Sequence, residues 1–171
     1  MKIILTGYMG VGKTSIAKKV AKKVGISAFD LDEMIENSHQ SSVSSIFSEK
    51  GEVYFRKIEA TIFKEFIESE SNFILSLGGG TPCYANNHVL LQQSDVISIY
   101  LKANISTLVR NLEEKRSKRP LIQKLTTDEL SEYIAKHLFD RNFYYHQAKY
   151  MITTDGKKKS EIVDEIMKLL G

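Results

Sequence analysis

Gly7-Tyr8-Met9-Gly10-Val11-Gly12-Lys13-Thr14 reads G-x-x-x-x-G-K-T, and the residues on either side of it decide how it folds. Before it, Lys2-Ile3-Ile4-Leu5-Thr6 is a short apolar run suited to a buried parallel strand. After it, Ile16, Val20 and Val24 fall four apart, which predicts a helix over 15–24 with one apolar face. Strand, tight loop and helix are the setting in which this motif cradles the phosphates of a nucleoside triphosphate. Each fixed position has a physical job. Gly7 and Gly12 admit backbone dihedrals that a Cβ disfavours. The N–H groups from Gly10 and Val11 through Gly12, Lys13, Thr14 and Ser15 are then expected to converge on the phosphates, helped by the positive end of the following helix. Lys13 supplies charge for the β- and γ-phosphates, and the Thr14 hydroxyl is a ligand for Mg²⁺. Lys18, Lys19, Lys22 and Lys23 read as the solvated face of that helix.

The bulk composition narrows the setting. A chain of 171 residues, 42% of them hydrophobic, favours a single domain over 1–171 with a sizeable core. No apolar run approaches the roughly 18 residues a membrane span needs. The start, Met1-Lys2-Ile3-Ile4-Leu5, carries no leader pattern, so a cytoplasmic location is expected, where ATP is available. Cys83 is the one cysteine, which excludes an internal disulfide and reads as a buried inert thiol. The formal charge of +3 suits a site for small anions better than nucleic acid, which calls for a clustered basic face. Nothing in the chain demands more than a monomer. Lys157-Lys158-Lys159 reads as a solvated loop before the last helix, and the polar stretch 41–45 carries no chemistry that can be assigned.

Strand-like runs recur at 3–6, 73–77, 96–101 and 150–153, with a weaker one at 27–29 and helical patterns between them. Such alternation predicts an α/β fold with a parallel sheet covered on both faces. Ligands in such folds bind beyond the carboxyl ends of the strands. Three segments fall there. Asp30-Leu31-Asp32 follows the second run; if both acidic residues lie on the strand they point the same way. One carboxylate then holds Mg²⁺ through water while the other takes a proton from an attacking hydroxyl, the competing reading being helix N-capping. Leu75-Ser76-Leu77-Gly78-Gly79-Gly80 ends the next strand, and three glycines exceed what a tight turn requires, which favours a substrate-binding turn.

Two arginines sit in helical patterns. Over 51–67 a row Ile58, Ile62, Phe66 is expected to face the core, with Phe63 and Ile67 beside it. Arg56 and Glu59 are three apart there, hence neighbours on the helix surface. They form either a surface ion pair or a fork that Glu59 orients toward a substrate carboxylate, and spacing alone does not decide. Over 127–147, Arg141 interrupts the stripe Leu130, Ile134, Leu138, Tyr145. A buried arginine requires a partner, either a protein carboxylate or an anionic ligand. The charged stretch 113–120, ending in Arg119-Pro120, reads as a solvated loop or as a mobile arginine-bearing flap over a nucleotide. His39, His88, His137 and His146 show no metal-ligand spacing.

Taken in order, these residues resemble the shikimate kinase family: G-x-x-G-x-G-K-T at 7–14, Asp30-x-Asp32, Phe55-Arg56-x-x-Glu59, Gly78-Gly79-Gly80, Arg119-Pro120-Leu121 and Arg141-x-x-x-Tyr145-x-x-Ala148. The resemblance spans Met1 to about Ala148. It implies the three-layer P-loop fold of nucleoside monophosphate kinases: a parallel sheet of five strands, a substrate-binding segment near 30–60 and a mobile lid near 112–125. It also implies ATP-dependent phosphorylation of the 3-hydroxyl of shikimate, a step toward chorismate. On this resemblance Asp32 holds that hydroxyl and orients or deprotonates it, and Asp30 lies near the metal's water shell. Arg56 and Arg141 clamp the carboxylate with help from Gly78, Gly79 and Gly80. Arg119 swings toward the phosphates, Arg110 packs near adenine, and Phe47 and Phe55 wall the pocket. Thr81-Pro82-Cys83 departs from a plainer apolar continuation after the glycines, and Lys157 stands nearest to where the family often places an arginine by the adenine. The alternatives are a kinase of another small metabolite on this fold, such as gluconate or a nucleotide, and a non-catalytic ATP-sensing module. A nucleotide acceptor would not call for a carboxylate-gripping pair, the intact Lys13, Thr14 and Asp32 argue against a non-catalytic module, and a panel of acceptors separates shikimate from another small metabolite such as gluconate.

Overall fold

The structure, a computed structural model, describes residues 1–119 and 121–171; Pro120, which ends the charged stretch read as a loop or flap, lies outside the described residues. Five strands, β1 (Lys2–Thr6), β2 (Ser27–Asp30), β3 (Phe73–Ser76), β4 (Val96–Lys102) and β5 (Tyr150–Thr153), form one sheet in the order β2-β3-β1-β4-β5. Every neighbouring pair is parallel. The helices are α1 (Lys13–Val24), α2 (Leu31–His39), α3 (Val43–Lys50), α4 (Glu52–Ser69), α5 (Asn87–Leu90), α6 (Ile105–Glu113), α7 (Thr127–Tyr145) and α8 (Lys159–Leu170). Single 3₁₀ turns lie at Thr81–Cys83 and Arg116–Lys118. Among the described residues no helix is long and apolar enough to cross a membrane.

Alternation along the central strands distributes the core. Ile3 and Leu5 of β1, Ile74 of β3, and Ile99 and Leu101 of β4 turn to one face, where α1, α6, α7 and α8 cover them. Ile4, Phe73, Leu75 and Val96 turn to the other, against α2, α3 and α4. Residues two apart in a strand share a face, so continuous apolar runs such as Ile3-Ile4-Leu5 serve both. The chain leaves β1 through α1 on the first face and returns from β3 to β4 past Leu91 on the second. These connections diverge from adjacent strands, and a crevice opens beyond the carboxyl ends of β1 and β3.

Two local expectations change. Asp32 does not extend β2. The chain turns helical at Leu31, so Asp30 ends the strand and caps α2, its Oδ1 accepting from the N–H of Glu33 at 3.2 Å. Capping and a place in the crevice are therefore not exclusive for Asp30. In α4 the fully buried stripe is Phe55, Glu59, Phe63 and Ile67, with Ile58, Ile62 and Phe66 half-buried beside it. The stripe is displaced by one position from the expected row and puts a carboxylate in its middle.

Candidate active site

The loop between β1 and α1 is shaped for an anion. Gly7 takes φ +146°, and a Cβ on it would lie 2.6 Å from the Leu101 carbonyl oxygen, a backbone atom that cannot yield. Gly12 stands at the start of α1 in the left-handed region, φ 99°, and no side chain caps the helix there. The first turn of α1 holds no acidic residue, so its N–H groups and the positive end of the helix stay available. Val11 is the exception among the expected donors, because its N–H bonds back to the Tyr8 carbonyl at 3.3 Å. Asn111 braces the loop from α6, its Nδ2 donating to the Gly10 carbonyl at 3.0 Å.

Lys13 is buried and folds over the loop, its Nζ donating to the carbonyls of Gly7 at 2.6 Å and Tyr8 at 3.0 Å. Burial lowers its pKa to about 8, against the pull of Asp32 and Asp30. The Thr14 hydroxyl donates to Oδ2 of Asp30 at 2.6 Å, which ties the loop to the end of β2. Burial raises Asp32 to about 6, and the charges of Asp30 and Glu59 add to the rise. A cavity of about 610 Å³ joins these groups: Gly10, Gly12, Lys13, Thr14, Ser15, Asp30, Asp32, Gly78, Gly79 and Arg119 all line it. The exposed side chains of Lys18 and Lys19 also reach its rim, together with Lys115. The first two belong to a helix face that read as solvated; helical periodicity does not show that this face borders a cleft.

The triple glycine brings the remaining residues together. A methyl group on Gly78 would lie 3.1 Å from Oδ1 of Asp32, one on Gly79 3.3 Å from Nη1 of Arg141, and one on Gly80 2.6 Å from Nη2 of Arg56. Three bare Cα positions therefore give room to the carboxylate and both guanidiniums at one turn. Gly79 also approaches the backbone N of Met9, and its carbonyl accepts from the Tyr145 hydroxyl at 2.6 Å. Arg56 and Glu59 are not a surface pair: Nη1 meets Oε1 at 2.9 Å, with 15% and 1% of the two side chains exposed. Arg141 is half-buried, and among the described residues it has no carboxylate within ion-pair distance; it lies near Tyr145 and, at 5.7 Å, the Tyr8 ring.

Arg119 lines this cavity and a neighbouring one of about 550 Å³ walled by Met9, Phe47, Leu121 and Ile122. Its Nη1 lies 3.7 Å from the Met9 sulfur. Phe55 is buried and stacks near Phe47, with ring centroids 4.4 Å apart. Arg110 is different: it sits exposed near the end of α6 and does not line the cavity. Lys157 pairs with Glu165 at 2.6 Å, whereas Lys159 donates to the Ser15 hydroxyl at 3.1 Å beside the loop. Within that lysine run, nothing in sequence distinguished the residue that meets the loop. Burial pushes the Cys83 thiol up to about 11, in keeping with an inert role.

The family model described as shikimate kinase matches residues 9–171. A shikimate kinase of Flavobacterium psychrophilum is 56% identical over 169 residues, covering 99% of this chain and 98% of the relative. The crystal structure of shikimate kinase from Bacteroides thetaiotaomicron superposes with a TM-score of 0.92 at 33% identity, covering 99% of this chain and 98% of that one. Shikimate kinase from Acinetobacter baumannii in complex with shikimate gives 0.88 at 28% identity, covering 99% and 92%.

Proposed function

We infer the roles in the site from one premise: the chain belongs to the shikimate kinase family. It is an ATP-dependent kinase acting on a hydroxyl of shikimate, in aromatic amino acid biosynthesis. The hydroxyl is the one at position 3, and the acceptor's carboxylate lies between Arg56 and Arg141 with the backbone of Gly78, Gly79 and Gly80 against it. One observation carries this reading: Asp32, Arg56 and Arg141 meet at the glycine turn, beside the phosphate loop.

The chemistry then follows. The triphosphate rests on the loop from Gly10 to Ser15, with Lys13 leaving the carbonyls of Gly7 and Tyr8 for phosphate oxygens. Asp32 accepts the hydroxyl proton, the acceptor oxygen bonds to the γ-phosphorus, and the bond to the β–γ bridging oxygen breaks, releasing ADP. The Thr14 hydroxyl and Asp30 carboxylate are adjacent hard oxygens, which suits Mg²⁺, an ion that takes its other ligands from phosphate and water. When bound, Mg²⁺ neutralises charge on the phosphates. Arg119 adds a donor to the transferring group as the segment near 112–125 closes and excludes water. Arg110, outside the cavity, contributes to the nucleotide only from the exposed end of α6. The domain spans 1–171, with the acceptor segment near 30–60, and acts as a cytoplasmic monomer.

ADP release measured with and without shikimate tests the reading. Release should depend on shikimate and not on gluconate or a nucleoside monophosphate. Equal release with and without shikimate would sink it.

A further inference from the structure

Arg56 poses a positioning problem that Glu59 alone does not solve. Its Nη1 is committed to Glu59, while its Nε is buried with no hydrogen-bond partner and stands 3.9 Å from Glu52, beyond hydrogen-bonding reach. One ion pair fixes a single edge of a guanidinium; the plane remains free to rotate unless something lies against its face. Glu59 also needs a second partner, because a carboxylate with 1% exposure and one arginine contact leaves an oxygen unsatisfied.

Both needs are met by the turn that follows the triple glycine, the segment whose composition departs from a plain apolar continuation. The Thr81 hydroxyl, fully buried, donates to Oε2 of Glu59 at 2.8 Å. Thr81 is held in turn: its N–H donates to the Gly78 carbonyl at 3.1 Å, and its own carbonyl accepts from Nδ2 of the buried Asn87 at 2.9 Å. Three residues on, the Tyr84 ring lies against the guanidinium, its centroid 4.1 Å from Cζ of Arg56; Phe55 and Phe47 stand further off, at 5.2 and 5.8 Å. Gly80, the last of the three glycines, lets the guanidinium pack close to the backbone, since a Cβ there would lie 2.6 Å from Nη2.

We propose that Thr81 and Tyr84 are positioning residues for Arg56: Thr81 fixes Glu59, Tyr84 fixes the plane of the guanidinium, and together they aim its free N–H groups at the acceptor's carboxylate. Neither touches the reacting atoms. This rests on the reading that Arg56 binds that carboxylate. A planar fork recognises a carboxylate through two parallel bonds, so its orientation matters as much as its charge.

Steady-state kinetics of Tyr84→Ala, Tyr84→Phe, Thr81→Val and Thr81→Ser, each with a melting temperature, test the proposal. Tyr84→Ala should raise KM for shikimate roughly three- to thirtyfold, the range expected for losing a stacked cation contact. Its kcat and its KM for ATP should stay within about twofold of the parent, a split that marks lost acceptor binding. Tyr84→Phe keeps the ring, and Thr81→Ser the hydroxyl, so both should retain the parental KM. Thr81→Val should act like Tyr84→Ala; if it fails to fold, the Tyr84 pair still decides. The sharper arm repeats Tyr84→Ala in an Arg56→Ala background, where it should add nothing, because a residue that acts through Arg56 has no one left to position. An unchanged shikimate KM in Tyr84→Ala, an equal rise in both KM values, or a full effect without Arg56 would each overturn the proposal. If Arg56→Ala itself leaves the shikimate KM unchanged, the assignment of the carboxylate to Arg56 fails, and the positioning role with it. A large Arg56→Ala effect with none from Tyr84→Ala defeats the positioning role alone.

Discussion

Asp32 draws its character from its neighbours. Half-buried beside Asp30 and Glu59, it holds its proton up to about 6, higher than an isolated carboxyl, yet it is largely ionised at neutral pH. That is a suitable state for accepting a proton from an alcohol, and the pull of Lys13 keeps the charge tolerable. Asp32→Asn preserves shape and hydrogen bonding while removing the base. Turnover should fall about a hundred- to ten-thousandfold, the usual contribution of a general base, while ATP binding measured by calorimetry stays close to the parent. Near-parental turnover would remove Asp32 from proton transfer. Gly80 offers a second residue-scale test. Its φ of −97° suits any residue, so Gly80→Ala adds no backbone strain. The atoms nearest the new methyl belong to the Arg56 guanidinium, a movable side-chain end, with Nη2 at 2.6 Å. The melting temperature should change by a few degrees at most, about 1 kcal/mol, while KM for shikimate rises at least tenfold as the guanidinium is displaced. A parental KM would show that Arg56 has room to spare.

At the scale of elements, the phosphate loop and α7 are tied through one pair. The Tyr8 hydroxyl and Nδ1 of His137 share a hydrogen bond of 2.8 Å, and the Tyr133 ring stands 4.3 Å from that imidazole. Burial lowers the His137 pKa below its ordinary 6.5; Arg141 and Lys136 lower it further, and Asp140 opposes them. The folded protein therefore prefers the neutral ring, which accepts from Tyr8 at Nδ1. The unfolded chain takes up the proton first as pH falls, so stability is lost as pH drops through the ordinary value of 6.5 toward the folded one. Melting temperatures at pH 7.5 and 5.5 should differ more for the parent than for His137→Gln, and equal slopes would sink this account. Neither partner stood out in the sequence, since a tie between residues 8 and 137 leaves no periodic trace. The same holds for α4. Hydrophobic spacing found the helix but placed its inward face one position off, because Glu59 cannot be read as buried until Arg56 and Thr81 are known to satisfy it. At Asp30 a capping carboxylate and a strand-end carboxylate look alike in sequence, and this residue is both.

At the scale of the molecule, the legible part was the chemistry that cannot be built otherwise. Gly7 and Gly12, Lys13, Thr14 and the triple glycine are each demanded by backbone geometry or by charge, and the alternating runs dictate the layered sheet between two cores. What surrounds them is visible only in three dimensions: Lys18, Lys19 and Lys115 line the phosphate cavity, Lys159 meets Ser15 beside the loop, and Tyr84 lies against Arg56. Arg119 lies between these classes. Its motif marked it, but its position depends on how the whole cleft is arranged: it rests on the Met9 sulfur and lines both the phosphate cavity and its neighbour. A thioether is a weak acceptor, so little opposes its transfer to phosphate oxygens when both substrates fill the cleft. A donor that engages charge as the phosphoryl group transfers lowers the barrier more than it strengthens ground-state binding. Arg119→Ala should thus cost about a hundred- to a thousandfold in kcat, with KM for ATP and for shikimate changed far less. Arg119→Lys should recover only part, since a point charge replaces a fork. If instead KM for ATP rises while kcat holds, Arg119 serves nucleotide binding alone, and the charge of the transferring group falls to Lys13 and the start of α1.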